Sequence, residues 1–587
     1  MGLVPYFPTD FVQYGVRSGS SSGRETPARN GRQGLRPPPR PVGSDPRMDY
    51  PVDSFTPDEQ ARLAPHVTNL DRPVFALTNL PETVKGAMFA RYSRYQGTLR
   101  RMFLDEFADS LPPVSAPSHH ADDTEGTRAA ELYERIFVGY GDDSVAQLGG
   151  AHVACEWVSN VLTKVLQRPR LGAYLEQSTR YIAYDVPMDG AGTRAPRYRY
   201  YRDPALGPVY EQSMDEVFGI YSGLLPRVRA WVDESFPGDP GPARDRAIGA
   251  KALDLVRGLL PAASLSHMGI YATGQTYEQL ILHLLAHPLP EARECGTQIL
   301  DAVQAVMPSF VSRVPRPDRG GEWIGYLQER DAAAARWVTR LGLDRPANET
   351  TGRPSVRLLH VDGDEDALLA ALLFEASGVS EEDARIRLSA LSTDERTALL
   401  GDLVGNRRNR RHRPGRGYEA LRYRFEIVSD YGAFRDLQRH RMLTVQWQKL
   451  TPDLGAGVPE DVDLAGCGGE YRRALELSRV AHQRILDDGH DPRVAMYALC
   501  LGYRIRYVMD LNAREAMQLI ELRSGREGHP SYRAVAHEMH RQIAAVHPAV
   551  AATMTHVDND NEPRLERILA EMRTQSKLDQ LLPERAG

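Results

Sequence analysis

The feature that most constrains how this 587-residue chain can fold is that it reads as one unit written twice. A helix-patterned stretch leads into Arg168-Pro169-Arg170, and a second, FEIVSDYGAFRDLQ, leads into Arg439-His440-Arg441. A small residue follows each triplet at the same offset, Ala173 and Thr444. Farther on, LVRGLLP (255–261) and VAMYALC (494–500) each precede a helix of similar length. The triplets lie roughly 270 residues apart, the spacing of a duplicated domain rather than of a short-period repeat. Length agrees, because the chain exceeds what one hydrophobic core usually organises.

Around that duplication the chain divides by composition. Residues 1–47 are rich in Gly, Ser, Pro and Arg and too poor in large apolar groups to offset the entropy of ordering. They are expected to be a disordered tail, with Met48 an alternative start. Residues 60–315 form the first domain. Within it TVKGAMFARYSRY, ELYERIFVGY, VACEWVSNVLTKVLQ and TYEQLILHLLAH carry helical apolar spacing, and TRYIAYDV predicts a strand. Pro and Gly cluster at RVPRPDRGGEW, which places a linker over 316–353. The second domain, 354–550, opens with SVRLLHVDG, a short strand and turn, and DEDALLAALLFEAS, a helix with acids in its first turn. A polar helical tail covers 551–587.

Charge and cysteine usage narrow the class. The net charge of −6 argues against a nucleic-acid scaffold, which needs a basic face to displace counterions. With 67 arginines against five lysines, isolated arginine pairs carry little information. Cys155, Cys295, Cys467 and Cys500 show no CxxC or framework spacing, so neither disulfides nor a cysteine zinc site is expected. No apolar run approaches membrane-spanning length and the N-terminus lacks a signal-peptide core, which predicts a cytoplasmic protein with no membrane partner.

The string RPRLGAYLEQSTRY (168–181) sets three arginines beside a glutamate, a glutamine, a serine and a tyrosine, which suits a phosphate-bearing, hydrogen-bonding planar ligand. Here the chain resembles the flavin-dependent thymidylate synthases, whose signature reads RHR-x-x-S-x-N-E-x-S-x-R-Y. The first half matches at Arg168, Arg170, Glu176, Ser178, Arg180 and Tyr181 and departs at Pro169, Ala173 and Leu175. Upstream, GDDSVAQL keeps Ser144 but has Asp142, Gln147 and Leu148 where the family has His, Glu and His. Downstream, Arg257 and Pro261 fit the family's A-R-x-x-L-P. The second half keeps Arg439, His440 and Arg441, then reads WQKLTP, with Met496 and Cys500 in place of the later arginine and proline. It alone has LNAREAMQLIELR (511–523), similar to the family's flavin- and substrate-contacting helix.

The losses are complementary, and the resemblance implies what they mean. In that family each site lies between subunits. One subunit gives the signature and the A-R-x-x-L-P arginine, its neighbour the asparagine–arginine helix. The implied fold is α+β: two tandem helix-rich domains, each with a central antiparallel sheet, forming a pseudo-dimer with one surviving composite site. The implied reaction moves a one-carbon unit from methylenetetrahydrofolate to C5 of dUMP or a related uridine nucleotide, with NADPH reducing FAD; no protein nucleophile is required. By the resemblance Arg168, Glu176, Gln177, Ser178, Thr179, Arg180 and Arg257 would hold the nucleotide, and Arg523 would stabilise charge on the pyrimidine as the catalytic group. Ser144, Arg168, Arg170, Glu176, Glu419, Arg439, His440, Arg441, Asn512, Arg514 and Gln518 would contact FAD. Family tetramers translate into a dimer of tandem chains. Pro169 removes an imidazole and a backbone donor, so the alternative is a catalytically silent homologue that binds a nucleotide or assembles with a partner.

Three other features point elsewhere. GYGDDS (139–144) lacks the third glycine and preceding strand of a phosphate loop. His283 with His287, and His537 with His540, have helical ligand spacing but no third ligand, so no metal is expected. RRNRRHRPGR (407–416) is one basic loop in an acidic protein, a candidate for attracting the FAD pyrophosphate or a folate tail.

Overall fold

The computed structural model describes residues 53–92, 94–110, 146–188, 196–344, 353–560 and 565–585. Residues 1–47, ELYERIFVGY and Ser144 lie outside that set. Two four-stranded antiparallel sheets repeat one plan. In the first half β1 (Val74–Ala76), β2 (Gly150–Ser159), β3 (Ala173–Glu176) and β4 (Leu265–Thr273) lie in the order β1-β2-β4-β3. In the second, β5 (Ser355–Asp362), β6 (Arg422–Asp430), β7 (Thr444–Trp447) and β8 (Arg504–Asn512) lie in the order β5-β6-β8-β7. The expected α+β fold with a sheet in each half is therefore present.

The stretches before the two arginine triplets are not helices throughout. Each is a long strand, β2 or β6, running straight into a short helix, Asn160–Leu166 or Tyr431–Leu437. Ser159 and Asp430 cap those helices by accepting from Leu162 N and Ala433 N. VACEWVS lacked strand alternation because every residue from Ala151 to Ser159 is buried, and burial on both faces erases the period of two. LVRGLLP and VAMYALC likewise end in tight turns that lead into β4 and β8, and only then into the helices Gly274–Ala286 and Ala513–Arg523.

TRYIAYDV is not a strand. β3 ends at Glu176, and beyond His267 the edge of β4 is already taken, with Leu265 N donating to Arg199 O and Tyr201 N to Ala263 O. The chain turns instead, Ser178 O accepting from the backbone N–H of Tyr181 and Ile182. The expected linker also has structure, since Glu322–Arg340 forms a nineteen-residue helix.

The halves meet about a local twofold. Pro261 and Cys500, equivalent positions, pair as an antiparallel bridge. On either side Ala262 N donates to Leu499 O at 2.7 Å and Leu501 N to Leu260 O at 2.9 Å, the reciprocal pattern of an isologous dimer interface. Gly502 N also donates to Gly258 O, an approach that needs glycine: a Cβ on Gly258 would lie 2.1 Å from the Tyr471 hydroxyl. One apolar core runs through both halves, from Leu260 and Tyr201 to Tyr431, Phe434 and Leu499. A separate small core under Phe75, Met88, Tyr92 and Phe103 covers β1.

Glu291 ties this interface together, accepting from Ser159 N, Ser159 Oγ and the second half's Tyr497 hydroxyl at 2.6 Å. Burial pushes its carboxyl up to about 7. The folded state thus prefers the neutral acid, and this group's contribution falls as pH rises from the ordinary carboxylate value through 7. Glu291→Gln should therefore gain relative to the unaltered protein, by on the order of 2 kcal/mol between pH 5 and pH 8. Urea unfolding at both pH values reads this; an unchanged difference would place the group outside the dry interior.

Candidate active site

Four arginines from the two halves converge on one carboxylate. Arg257 stands in the turn after the helix Pro242–Val256, and its Nη1 donates to Asp436 Oδ2 at 3.3 Å across the junction. Asp436 and Arg439 come from the helix Tyr431–Leu437 and the loop after it, 3.6 Å apart. Burial would raise the Asp436 carboxyl, yet Arg439, Arg257, Arg523 and Arg180 together hold it well below the usual carboxylate range. Asp254 and Glu176 offset Arg180 and Arg439, which leaves Arg257 and Arg523 with Asp436 as their shared counter-charge. Nη2 of Arg257 is buried with no hydrogen-bond partner, a donor poised for an anion.

Arg523 ends the helix Ala513–Arg523 and is positioned by neutral groups. Its Nε donates to His440 Nε2 at 3.1 Å, and its guanidinium lies 5.4 Å from the Tyr532 ring centroid. Because His440 Nε2 accepts, the proton sits on Nδ1, which donates to Glu515 Oε1 at 2.9 Å. Burial lowers the His440 pKa, with the Glu515 bond opposing, so the imidazole is a neutral strut between Glu515 and Arg523. His440 therefore stands in the same centre as Arg257, since the Arg523 that it holds acts with Arg257 on Asp436.

Arg180 is placed differently from the expectation of a free phosphate fork. Nε and Nη2 both donate to Asp254 at 2.7 Å, Nη1 donates to the Tyr532 hydroxyl at 2.9 Å, and Nη2 reaches Glu527 O. It braces the junction, and Ser178 Oγ accepts from its backbone N–H. Glu176 and Gln177 are equally occupied. Glu176 accepts from Lys164, Gln167, Arg435 and Arg439, and Gln177 bonds Tyr95 O, Arg199 and Tyr184. Thr179 is buried. Pattern reading missed Asp254, Asp436, Tyr532, His529 and Arg567. Arg567, from the C-terminal segment, donates to Asp254 and to Arg180 O. His529 packs on Asp254 O, and burial and Arg257 push it down to about 3. A cavity of about 340 Å³ opens between the halves beside Arg257, Asp254 and His529.

The residues expected on the cofactor side spread from this centre along β7 and the start of the helix Ala513–Arg523. Arg170 donates to Thr444, and Arg441 lies 5.0 Å from the Tyr174 ring centroid, so the two triplets interlock across the junction. Arg168 faces Trp447 instead. Asn512 caps the helix through its side-chain carbonyl, which accepts from Glu515 N, and Gln518 is half-buried on the same helix. Arg514 bonds Pro414 O and lies 3.7 Å from Glu419, linking both to the basic loop. Arg407 of that loop is buried against Glu521, while Arg408, Arg410, Arg411 and Arg413 are exposed. Donors on Arg170, Arg441 and Asn512 beside this cationic loop fit a long ligand with a pyrophosphate.

His537 and His540 meet the carbonyls of Asp558 and Ala551. Among the described residues no group of three or more His, Cys, Asp or Glu could hold a metal, and no helix is long and apolar enough to cross a membrane.

The chain matches the thymidylate synthase complementing protein family twice, over residues 100–309 and 360–549. It is 36% identical over 533 residues to a UPF0159 protein of Chlamydia muridarum, covering 88% of this chain and 98% of that one. It is 30% identical to a UPF0159 protein of Thermoplasma acidophilum, over 84% and 99%. Both relatives thus span the two halves. A solved structure of the UMP/dUMP methylase PolB from Streptomyces cacaoi, bound with 5-Br dUMP, aligns at 21% identity and a TM-score of 0.29, over 35% of this chain and 95% of that one. With the family matching once in each of two like-ordered sheets, the chain belongs to the thymidylate synthase complementing protein family as a tandem duplicate.

Proposed function

We propose that the chain transfers a one-carbon unit from methylenetetrahydrofolate to C5 of dUMP or a related uridine nucleotide, at one composite site per chain, with FAD and NADPH as the reducing system. The observation that carries this is the meeting of Arg257 from the first half with Asp436, Arg439, His440 and Arg523 from the second. Arg257 would take the phosphate through its unpartnered Nη2, and Asp436 restrains the repulsion among the arginines before an anion arrives. Arg523, fixed by His440 and Glu515, would face the pyrimidine carbonyl and stabilise negative charge that develops as C5 becomes nucleophilic. Arg170, Arg441, Asn512, Arg514 and Gln518 would hold FAD, which when bound and reduced by NADPH would supply the hydride that turns a transferred methylene into a methyl group. We also read the working assembly as a dimer of tandem chains.

A second reading rests on Pro169 and on the occupied donors of Arg180, which favour a catalytically silent, nucleotide-binding homologue. Colour and product separate the two. The purified protein, reconstituted with FAD, should be yellow and, given methylenetetrahydrofolate and NADPH, should add one methyl group to dUMP or UMP by mass spectrometry. A colourless protein that leaves both nucleotides unchanged sinks the first reading and leaves the second.

A further inference from the structure

The twofold that builds the composite site also generates its mate, and the mate is not simply lost. The equivalents of Arg257, His440 and Arg523 are Met496, Pro169 and Leu284, so the groups given the chemistry above are gone. The space persists as a cavity of about 570 Å³, within the range that holds small ligands. Its lining has been rebuilt. Trp447 stands where the first half has Glu176, and Lys449 where it has Ser178. The helix Glu322–Arg340 supplies a wall through Leu327, Arg330 and Asp331.

The rebuilt wall is cationic and aromatic. The Arg168 guanidinium lies 5.5 Å from the Trp447 ring centroid. Among the described residues no carboxylate pairs with Arg168, Arg330 or Lys449. The one acid in the lining, Asp331, is held by Arg493 in a two-pronged bond of 2.9 and 3.0 Å. Lys164 is engaged by Glu176. His287, pushed down to about 4 by burial and neighbouring arginines, stays neutral and adds no charge. Three free cations beside an indole are what a phosphate attached to a flat ring would meet.

We infer that this reciprocal cavity is a second, non-catalytic ligand site, which takes a small aromatic phosphate of the nucleoside monophosphate class. The phosphate lies among Arg168, Arg330 and Lys449, and the base packs on Trp447. The inference rests on the lining of this cavity alone and does not require the catalytic reading of the composite site. A link between the sites is built in, because Lys164 of this cavity bonds Glu176, which bonds Arg439 of the composite centre.

Calorimetric titration of the full chain with dUMP tests it, using Arg168→Glu/Lys449→Glu for the reciprocal cavity and Arg257→Ala for the composite site. Arg168 and Lys449 are exposed, so the charge reversals should leave folding intact, as a thermal melt will check. The unaltered chain should bind two equivalents. The double reversal should lose one of them, at least tenfold weaker, and Arg257→Ala the other. Ribose 5-phosphate and uridine should each bind the reciprocal site at least tenfold more weakly than dUMP, since each lacks one half of the recognition. Binding of one equivalent that the double reversal leaves untouched, or of none, overturns the inference. One equivalent lost in the double reversal but kept in Arg257→Ala upholds the reciprocal site and refutes the composite one.

Discussion

A one-to-one mixture of Arg257→Ala and Arg523→Ala chains is expected to stay as inactive as either variant alone, about 10²–10³-fold below the unaltered protein. The reason is covalent. Arg257 and Arg523 come from opposite halves of the same chain and both act on the Asp436 carboxylate. At the reciprocal position their equivalents are Met496 and Leu284, so a chain that loses either arginine holds no other place where both could meet. Where identical subunits share sites, mixing two such variants after co-refolding returns roughly a quarter of the sites to full composition. Recovery of that size here would mean that the halves of different chains build the working site. The two single variants should also differ in kind. On the proposed function, Arg257→Ala would remove a ground-state phosphate contact and should act mainly through KM. On the same reading, Arg523→Ala would remove a charge that stabilises the ring as it becomes nucleophilic and should act mainly through kcat. Methyl transfer to dUMP over a concentration range separates these effects.

The duplication and its complementary losses are legible in residue order, because gains and losses at matched positions are visible in a linear string, whereas the expectation that Arg257 and Arg523 share a centre comes from the resemblance to a family whose sites lie between subunits. Local structure was less legible where burial is total. In β2, from Ala151 to Ser159, no exposed face imposes a period, so apolar spacing fits a helix as well as a strand. TRYIAYDV has the composition of a strand but no free edge to pair with, a fact that depends on Arg199 and Tyr201 occupying β4. The same non-locality hid the partners of the candidate site. Asp254, Asp436, Tyr532 and Arg567 sit in unremarkable helical or turn contexts, and only tertiary packing sets them against Arg180 and Arg257. It also reversed the apparent standing of Arg180 and Glu176. Both match the nucleotide-binding signature, and both have their polar atoms engaged by the protein itself.

Glu176 carries the largest stability effect that follows from this reversal. Its side chain is 2% exposed and accepts from Lys164 at 2.9 Å, Arg435 at 2.7 Å and Arg439 at 3.2 Å, two of these cations coming from the other half. Lys164 and Arg435 are themselves 1% and 4% exposed, so they cannot turn to water when the carboxylate is removed. Burial, aided by Arg435 and Arg439, pulls Lys164 down to about 8 even with Glu176 present. Glu176→Ala should therefore cost about 3–5 kcal/mol, the usual result of leaving buried charge uncompensated. Glu176→Gln, which keeps the shape and the bond to Gln167 but not the charge, should cost less than the alanine variant and more than a surface substitution. The effect should concentrate at the junction, because Arg435 and Arg439 anchor the helix and loop that present Asp436 and His440. Urea unfolding gives the magnitude, and hydrogen exchange at the amides of 431–441 gives the location. Were Glu176→Gln as stable as the unaltered chain while losing nucleotide or flavin binding, Glu176 would be a ligand contact, as the signature motif implies, and not the electrostatic keystone between the halves.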